Sequence, residues 1–271
     1  MAKSRVGFIG LGSMGKPMVK RLLTHGWDVV SCAHTRRQAL EELQPLGLIE
    51  APSPQAVAAQ TDVVITMVRD TQESHAVILG AQGVLRGTPR LTTLIIMSTI
   101  DPAFCQRVAA HASRQGVAVL DAPVSGLPVR AAQGTLALMV GGEAAVLEQC
   151  RPLLETFGQI CACGTVGMGM VAKLANNAVA LGTVALLLEA RALARAYGMP
   201  EGQVMEIFKQ ASANSFVVQH WEAIWEPLRE LGLKDLRMGL EVAQHRGVRM
   251  PLIEAALQHG ISPEAGNDLA G

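Results

Sequence analysis

From Arg5 to about Gly164, short runs of β-branched and other apolar residues alternate with longer alanine-rich segments. Each apolar run has the length of a strand buried on both faces, and the alanine-rich segments carry apolar residues at helical spacing. This alternation constrains the fold strongly, because strand–helix–strand units assemble into a mostly parallel sheet covered by helices. The sequence therefore predicts an α/β domain over residues 1–165.

The individual elements of this domain can be placed from the same pattern. Strands are predicted at 6–9, 28–31, 63–68, 94–97 and 117–120, and helices at 14–25, 36–46, 53–60 and 102–115. A further strand and helix are predicted at 134–140 and 143–157. Most of the helical segments end in or near glycine, a common helix stop.

The pattern changes after Gly167, where the strand-like runs stop. Met170 to Tyr197 is one alanine- and leucine-rich segment without proline, and Gly198 and Pro200 close it, so one long helix is predicted. Shorter helices are predicted at 201–211, 215–230, 234–246 and 252–259. Residues 166–271 are therefore expected to form a second, all-helical domain.

The strongest local motif is Gly10-Leu11-Gly12-Ser13-Met14-Gly15, directly after the first strand and at the start of the first helix. In this context Gly10 permits a tight turn, Gly12 allows the backbone to approach a pyrophosphate, and Gly15 lets the helix pack on the strand. The N–H groups at the helix start are free to bind an anion. The motif predicts dinucleotide binding, although a chance match in an ordinary loop is the alternative.

The end of the second strand bears on which dinucleotide is bound. An acidic residue there would bind the adenosine ribose of NAD, but the sequence has Ala33 at that place, followed by His34, Thr35, Arg36 and Arg37. Guanidinium groups match phosphate geometry, so a 2′-phosphate and hence NADP is expected, with NAD as the alternative. The alternative is that Arg36 and Arg37 merely begin a solvated helix.

Composition excludes several other function classes. The 23 basic and 23 acidic residues cancel, and only 17% of residues are charged, which argues against a nucleic-acid or anionic-membrane partner. No segment resembles a leader, and no uninterrupted apolar run approaches membrane-spanning length. Five cysteines without a framework of spacings favour a reducing compartment, and no metal site is expected from their pattern. A cytoplasmic location is therefore expected.

Four motifs in chain order resemble one known family. They are FIGLGSMG at 8–15, DAPVSG at 121–126, GMGMVAKLANN at 167–177 and KDL at 234–236. With them the chain resembles the β-hydroxyacid dehydrogenases, the family of 3-hydroxyisobutyrate dehydrogenase and tartronate semialdehyde reductase. The resemblance implies a Rossmann-type domain joined to a helical domain, a nicotinamide cofactor, and oxidation of a short 3-hydroxy acid or reduction of its semialdehyde.

The resemblance also implies roles for particular residues. Lys173 matches the family's catalytic lysine, and a positioned lysine can polarise the substrate oxygen and exchange its proton. Asn177 lies four residues later, on the same helix face, where its amide would hold the substrate beside Lys173. Ser125 and Gly126 match the segment that receives the substrate carboxylate, and Lys234 matches the lysine that closes over the nicotinamide. Alone, Lys173 would be interpreted as a solvated surface residue.

Further family positions lie at strand ends, where ligands bind in open α/β sheets. Met67 and Val68 lie at the end of one predicted strand and Thr99 follows the next, and all three match positions that touch the cofactor. The alternative for Thr99 is that it only begins a loop or caps a helix.

Two departures from the family pattern affect specificity. Leu127 stands where the family usually has a second glycine, and Pro128 follows it. The stretch from Ser212 to Lys234, which contains two of the three tryptophans, is shorter than expected. Both bear on the substrate pocket, so the particular acid is left open.

The expected protein is therefore an NADP-preferring dehydrogenase or reductase with Lys173 as general acid/base and a small carboxylate as substrate. One alternative is an imine reductase, in which the catalytic position typically carries another residue type. Another is a non-catalytic protein that senses NADP. Because the long helix is apolar nearly all round, we expect it to be buried at a domain or subunit interface in a homodimer or homotetramer.

Overall fold

A computed structural model of the chain describes residues 5–34, 37–86 and 90–260, without the side chains of 225–231, 259 and 260. The chain divides into two compact units, residues 1–173 and 174–271. The division falls inside one long helix, after Lys173. The domain boundary predicted near residue 165 stays a prediction.

The first unit is built on a nine-stranded sheet in the order β3-β2-β1-β4-β5-β6-β8-β7, with β9 paired to β8. The strands are β1 Val6–Ile9, β2 Val29–Cys32, β3 Ile49–Ala51, β4 Val63–Thr66, β5 Thr93–Ile96, β6 Ala118–Asp121, β7 Val124–Ser125, β8 Leu136–Gly141 and β9 Gly158–Gly164. The first six pair in parallel, whereas β8 is antiparallel to β6 and β7 and parallel to β9.

Helices connect these strands and cover both faces of the sheet. They are α1 Gly15–Thr24, α2 Gln38–Leu43, α3 Pro54–Ala58, α4 Thr71–Leu79, α5 Pro102–Ser113, α6 Leu127–Gln133 and α7 Ala144–Leu154, with short 3₁₀ turns at Gln44–Leu46 and Val84–Arg86. Consecutive strand residues enter different cores: Phe8 lies in the same core cluster as Met18 and Phe157, whereas Ile9 lies in the cluster of Ile96 and Phe104. The predicted Rossmann-type α/β fold is confirmed.

Five elements of the first unit were absent from the predicted set: β3, α4, β7, α6 and β9. Two of the three residues of β3 are exposed, as are most of β9, so neither has the apolar character of a buried strand. β9 lies at the edge of the sheet and pairs on one side only. The strand predicted at 63–68 ends earlier, at Thr66, because the chain turns there towards α4.

The second unit is entirely helical in its described residues. Its helices are the rest of α8 Met168–Ala196, then α9 Glu201–Gln210, α10 Phe216–Gln219, α11 Trp221–Gln244 and α12 Pro251–Ala255, which continues as a π-helical turn over Ala256–Gly260. Its core joins α8, α11 and α12 through Leu181, Leu236 and Ile253.

The prediction of separate helices at 215–230 and 234–246 is wrong. The structure has the short α10 and then one continuous helix, α11, from Trp221 to Gln244. Gly232 lies within this helix, where a Cβ would be 2.5 Å from the Leu181 side chain on α8. The glycine serves close packing of α11 on α8. Lys234 therefore lies within a helix and not at a helix start.

Among the described residues, α8 alone is long and apolar enough to cross a membrane, with a mean hydropathy of 1.6 over 18 residues. The same property is found in core helices of proteins that never enter a membrane, and 44% of that window is buried within the protein.

Candidate active site

The turn between β1 and α1 has a backbone that only glycine can form at two positions. Gly10 has φ +106°, and a Cβ there would lie 2.1 Å from the carbonyl oxygen of Met67. A Cβ on Gly15 would lie 1.8 Å from the carbonyl oxygen of Gly10. Gly12, by contrast, faces open space, with no atom within 4 Å of the Cβ position. The turn therefore packs closely on the protein at Gly10 and Gly15 and leaves open space at Gly12. A turn that binds a pyrophosphate needs both features.

The carboxyl ends of three parallel strands meet beside this turn. Ile9 on β1 pairs in register with Thr66 on β4, which pairs with Ile96 on β5. Met67 and Val68 follow β4, and Thr99 follows β5, so the structure brings these predicted cofactor residues to the edge that holds the glycine turn. This edge is the usual ligand-binding edge of an open α/β sheet.

Ser98 ties two of these strand ends together and was not among the predicted site residues. Its hydroxyl accepts a 2.8 Å hydrogen bond from the backbone N–H of Val68, and the side chain is buried. The bond joins the loop after β4 to the loop after β5. The sequence signal was a serine at the end of a buried strand, which is equally common in loops without function.

At the end of β2, Thr35 and Arg36 lie outside the described residues, and His34 is exposed. The Arg37 guanidinium forms an ion pair of 2.9 Å with Glu50 on β3 and one of 3.7 Å with Glu41. Strand β3 pairs with β2, which places Glu50 opposite Ser31. Arg37 thus has two carboxylates of the chain as ion-pair partners.

The turn after β7 contains the two residues predicted to receive the substrate carboxylate. Ser125 pairs with Ala137 on β8, and Gly126 has φ +141°. Leu127 follows with φ +66° and is, among the described residues, the one non-glycine with positive φ. The turn therefore keeps a glycine-type backbone at Leu127, at a cost of about 1–2 kcal/mol.

The start of α8 is held by Asp121, the last residue of β6. Its Oδ1 accepts a hydrogen bond from the Gly167 N–H at 2.7 Å, and its Oδ2 accepts one from the Met170 N–H at 2.8 Å. Asp121 is fully buried. Burial raises the pKa of its carboxyl group, and the backbone N–H groups of Gly167 and Met170 oppose that shift.

Lys173 and Asn177 follow on α8, four residues apart and hence on one helix face. The Lys173 side chain is buried, with 9% exposure, whereas a solvated surface lysine would be mostly exposed. This burial favours a functional role for the lysine over the surface alternative.

The Asn177 amide is oriented by Asp235 on α11. Asn177 Nδ2 donates a 2.7 Å hydrogen bond to Asp235 Oδ2, and Asn177 Oδ1 accepts one from Asn176. Asp235 is buried, and its Oδ1 lies 3.2 Å from Lys234 Nζ in an ion pair. One carboxylate thus links two predicted site residues, Asn177 and Lys234. Asp235 is part of the KDL motif at 234–236, for which the sequence assigns a role to Lys234 alone.

Each unit therefore carries part of the predicted set. The first unit holds the glycine turn, Met67, Val68, Thr99, Ser125, Gly126 and Lys173, and the second holds Asn177 and Lys234. In the described part of the chain no group of three or more His, Cys, Asp or Glu side chains could hold a metal ion.

The fit to a dinucleotide rests on the glycine turn. At the start of α1 the Lys16 N–H donates to the Gly12 carbonyl oxygen at 3.0 Å and Pro17 has no N–H, so the groups left to bind an anion beside the open space at Gly12 are the N–H groups of the turn before Lys16. An anion bound there would be stabilised by these N–H groups and by the positive end of the helix. The residues present therefore fit a nicotinamide dinucleotide.

Comparison with protein families gives two matches that together span most of the chain. Residues 5–169 match the NAD-binding domain of 6-phosphogluconate dehydrogenase, and residues 167–266 match the NAD-binding region of NADP-dependent 3-hydroxyisobutyrate dehydrogenase. The chain belongs to the β-hydroxyacid dehydrogenase family. The family resemblance of the four motifs is thereby confirmed, and the protein is an oxidoreductase that uses NAD(P) and acts on a hydroxyl group.

Individual relatives in this family are similar over nearly their whole length. The NAD-dependent L-serine dehydrogenase of Pseudomonas aeruginosa is 33% identical over 93% of this chain and 90% of its own. The 2-hydroxy-3-oxopropionate reductase of Escherichia coli is 31% identical over 91% of this chain and 87% of its own. The structure of Mycobacterium tuberculosis 3-hydroxyisobutyrate dehydrogenase with L-serine superimposes with a TM-score of 0.80 at 29% identity, over 94% and 92% of the two chains.

The fold is also shared with imine reductases. The Myxococcus stipitatus imine reductase with NADP⁺ has a TM-score of 0.70 at 22% identity, over 94% of this chain and 92% of its own. At that identity the likeness is one of fold alone.

Proposed function

We propose that this protein oxidises a small 3-hydroxy acid, or reduces the corresponding semialdehyde, with NADP preferred to NAD and Lys173 as general acid/base. The observation that carries the proposal is the burial of Lys173 on α8, four residues before Asn177, whose amide is held by Asp235. A surface lysine needs neither burial nor an oriented amide on its own helix face.

In this mechanism Lys173 moves the proton. During reduction its ammonium donates a proton to the carbonyl oxygen as an alkoxide develops there, and during oxidation the neutral amine accepts the hydroxyl proton. The Asn177 amide holds the same end of the substrate beside the lysine. Ser125 and Gly126 bind the substrate carboxylate through the hydroxyl and the backbone of their turn.

The cofactor would be held by the turn from Gly10 to Gly15 at its pyrophosphate. Met67, Val68 and Thr99 would line its nicotinamide end, and Lys234 would close over it. The nicotinamide, when bound, supplies or accepts the hydride. Ser98 supports this part of the site, because it fixes the backbone of Val68.

The preference for NADP is supported by the residues after β2. No carboxylate stands at Ala33, where one would bind the NAD ribose. Since Arg37 is paired with Glu50 and Glu41, we assign the 2′-phosphate to His34, Thr35 and Arg36.

The two alternatives gain no support from particular residues. An imine reductase would be expected to carry another residue type in place of Lys173. A non-catalytic NADP sensor would not need the arrangement of Lys173, Asn177 and Asp235. Leu127, which could have signalled a lost substrate pocket, keeps the backbone of the glycine it replaces.

The substrate class can be tested by steady-state kinetics. The assay would compare L-serine, 3-hydroxyisobutyrate, glycerate and 4-hydroxybutyrate with NADP and with NAD, beside fluorescence titrations of both reduced cofactors. We expect turnover with at least one 3-hydroxy acid and a higher kcat/KM with NADP. Tight NADPH binding without turnover of any hydroxy acid or semialdehyde would instead support a sensor.

We also propose a homodimer or homotetramer formed through α8. Val179, Leu186 and Leu193 recur every seven residues on this helix and are 73%, 67% and 63% exposed. Seven residues are close to two helical turns, so the three side chains form one apolar stripe. If α8 is buried on nearly all sides, as its sequence predicts, a second copy of the chain must cover this stripe.

Two smaller proposals concern organisation and location. The two family matches meet at residues 167–169, which supports a cofactor domain that ends near residue 165 and a helical domain that begins with α8. All five cysteines are free, as expected in a reducing compartment, which supports a cytoplasmic location.

A further inference from the structure

The start of α8 is built around one buried carboxylate. Both oxygens of Asp121 accept backbone N–H groups, from Gly167 at 2.7 Å and from Met170 at 2.8 Å. These two hydrogen bonds favour the charged form of the carboxyl group and oppose the rise in its pKa that burial causes. A buried anion at a helix N-terminus is stabilised by the unpaired N–H groups and by the positive end of the helix.

Two glycines make room for this carboxylate. A Cβ on Gly141 of β8 would lie 2.5 Å from Asp121 Oδ1. A Cβ on Gly169 of α8 would lie 2.9 Å from Asp121 Oδ2 and 2.3 Å from the carbonyl oxygen of Met139. Three elements thus meet at Asp121: the ends of β6 and β8 and the first turn of α8. The contacts are too close for a side chain larger than that of glycine at positions 141 and 169.

Lys173 lies one helical turn beyond the residue that Asp121 holds. It follows Met170 by three residues on the same helix, and long helical side chains lean back towards the N-terminus of their helix. The Lys173 side chain therefore covers the turn whose N–H groups are bonded to Asp121. A shift of that turn would move the lysine with it.

The charge of Asp121 also acts on this region. The positive end of a helix disfavours an ammonium in its first turns, and a carboxylate at that end offsets the effect. In the described part of the chain, the charge of Asp121 acts on the thiols of Cys105 on α5 and Cys163 on β9. Burial raises the pKa of both thiols, so they stay neutral near neutral pH and leave the carboxylate as the charge at the helix start.

We propose that Asp121 is a positioning residue for Lys173: its carboxylate fixes the first turn of α8 and supplies the negative charge that keeps the lysine available as a proton donor. This inference rests on the proposed role of Lys173 as general acid/base. If Asp121 only stabilised the fold, its variants would change the fraction of folded protein and nothing else. The positioning role predicts in addition that proton transfer changes in the molecules that are correctly folded.

The test compares Asp121→Asn with a control variant, Ser53→Ala, that loses a helix-capping side chain elsewhere in the first unit. Ser53→Ala removes the hydroxyl that accepts the Ala56 N–H at the start of α3, and Ser53 has no part in the site. For each variant, kcat, KM and the pH dependence of kcat would be measured for the best 3-hydroxy acid. The number of active sites would be counted by cofactor titration, so that unfolded protein does not contribute.

We expect kcat per cofactor-binding site to fall roughly 10- to 100-fold in Asp121→Asn, while the Kd for NADPH changes less than about threefold. The pH profile of kcat should contain one midpoint that reports Lys173, recognised because it is absent in Lys173→Ala. In Asp121→Asn this midpoint is expected at lower pH, because removal of a nearby negative charge lowers the pKa of an ammonium. Ser53→Ala is expected to keep both the wild-type kcat and the wild-type midpoint.

Asp121→Ser is the second variant, since its hydroxyl accepts one N–H without presenting an amide donor to the other. If either neutral variant folds and keeps the wild-type kcat per site and the wild-type pH midpoint, the inference is overturned. If wild type turns over a hydroxy acid and Lys173→Ala does so equally well, the proposed function itself fails. The two failures are therefore distinguishable.

Discussion

The side-chain amide of Asn177 donates a 2.7 Å hydrogen bond to the carboxylate of Asp235, which also forms an ion pair with Lys234. The bond sets the orientation of the amide, because the nitrogen faces Asp235 and the oxygen accepts from Asn176. The buried carboxylate of Asp235 on α11 thereby orients Asn177 on α8, a residue that is predicted to bind the substrate.

Asp235→Ala is expected to raise KM for the hydroxy acid roughly tenfold or more and to lower kcat less, because the Asn177 amide loses its fixed orientation. A hydrogen bond to a charged group is worth about 1.5–3 kcal/mol, the range that such a change in KM represents. The matched control is Glu241→Ala on the same helix, where the side chain is exposed. An unchanged KM in Asp235→Ala would show that the contact does not orient a substrate ligand.

The glycine turn allows folding and cofactor binding to be separated. Gly12→Ala adds a methyl group that meets no atom within 4 Å, so the free energy of unfolding should change by less than about 1 kcal/mol while the affinity for NADPH falls roughly tenfold or more. Gly10→Ala places its methyl group 2.1 Å from the Met67 carbonyl oxygen and should destabilise the fold.

Gly202→Ala on α9 is the control for this pair, since Gly202 also faces open space but belongs to the second unit and not to the glycine turn. It should leave NADPH affinity unchanged and raise stability slightly, because alanine is the better helix former. Calorimetry and fluorescence titration measure the two quantities. Normal NADPH affinity in Gly12→Ala would contradict a pyrophosphate at this turn.

Leu127 provides a test of backbone strain in the substrate turn. Its φ of +66° favours glycine, so Leu127→Gly should change the free energy of unfolding by less than about 1 kcal/mol in spite of the lost side chain. Leu127→Val should be less stable than wild type by about 1–2 kcal/mol, because a β-branched residue fits positive φ poorly. Urea denaturation measures the free energy of unfolding of both variants. A Leu127→Gly variant that is less stable than Leu127→Val would refute the argument.

The apolar stripe of α8 predicts the effect of a charge at its centre. Leu186→Lys should shift the protein from a dimer or tetramer to a smaller species in sedimentation velocity, because an ammonium would be buried without a partner. Lys20→Ala on α1, an exposed position outside α8, should leave the sedimentation coefficient unchanged. A wild-type protein that sediments as a monomer would remove the basis for this interface.

The features that the sequence alone reveals depend on neighbouring residues. The strand and helix alternation, the glycine turn and the Lys173–Asn177 spacing can all be recognised within a dozen residues. Two decisive side-chain bonds cannot: Asp121 is bonded to residues 46 and 49 positions away, and Asp235 to one 58 positions away. The packing of Gly232 against Leu181, 51 positions away, is likewise beyond the reach of a local pattern.

The central claim is that buried Lys173 transfers the proton to or from the substrate oxygen. The most direct measurement compares wild type with Lys173→Ala for steady-state turnover of the best hydroxy acid and for NADPH affinity. We predict a fall in kcat of roughly 10²- to 10⁴-fold, with NADPH affinity changed by less than about threefold. A Lys173→Ala enzyme that keeps most of its kcat would contradict the account.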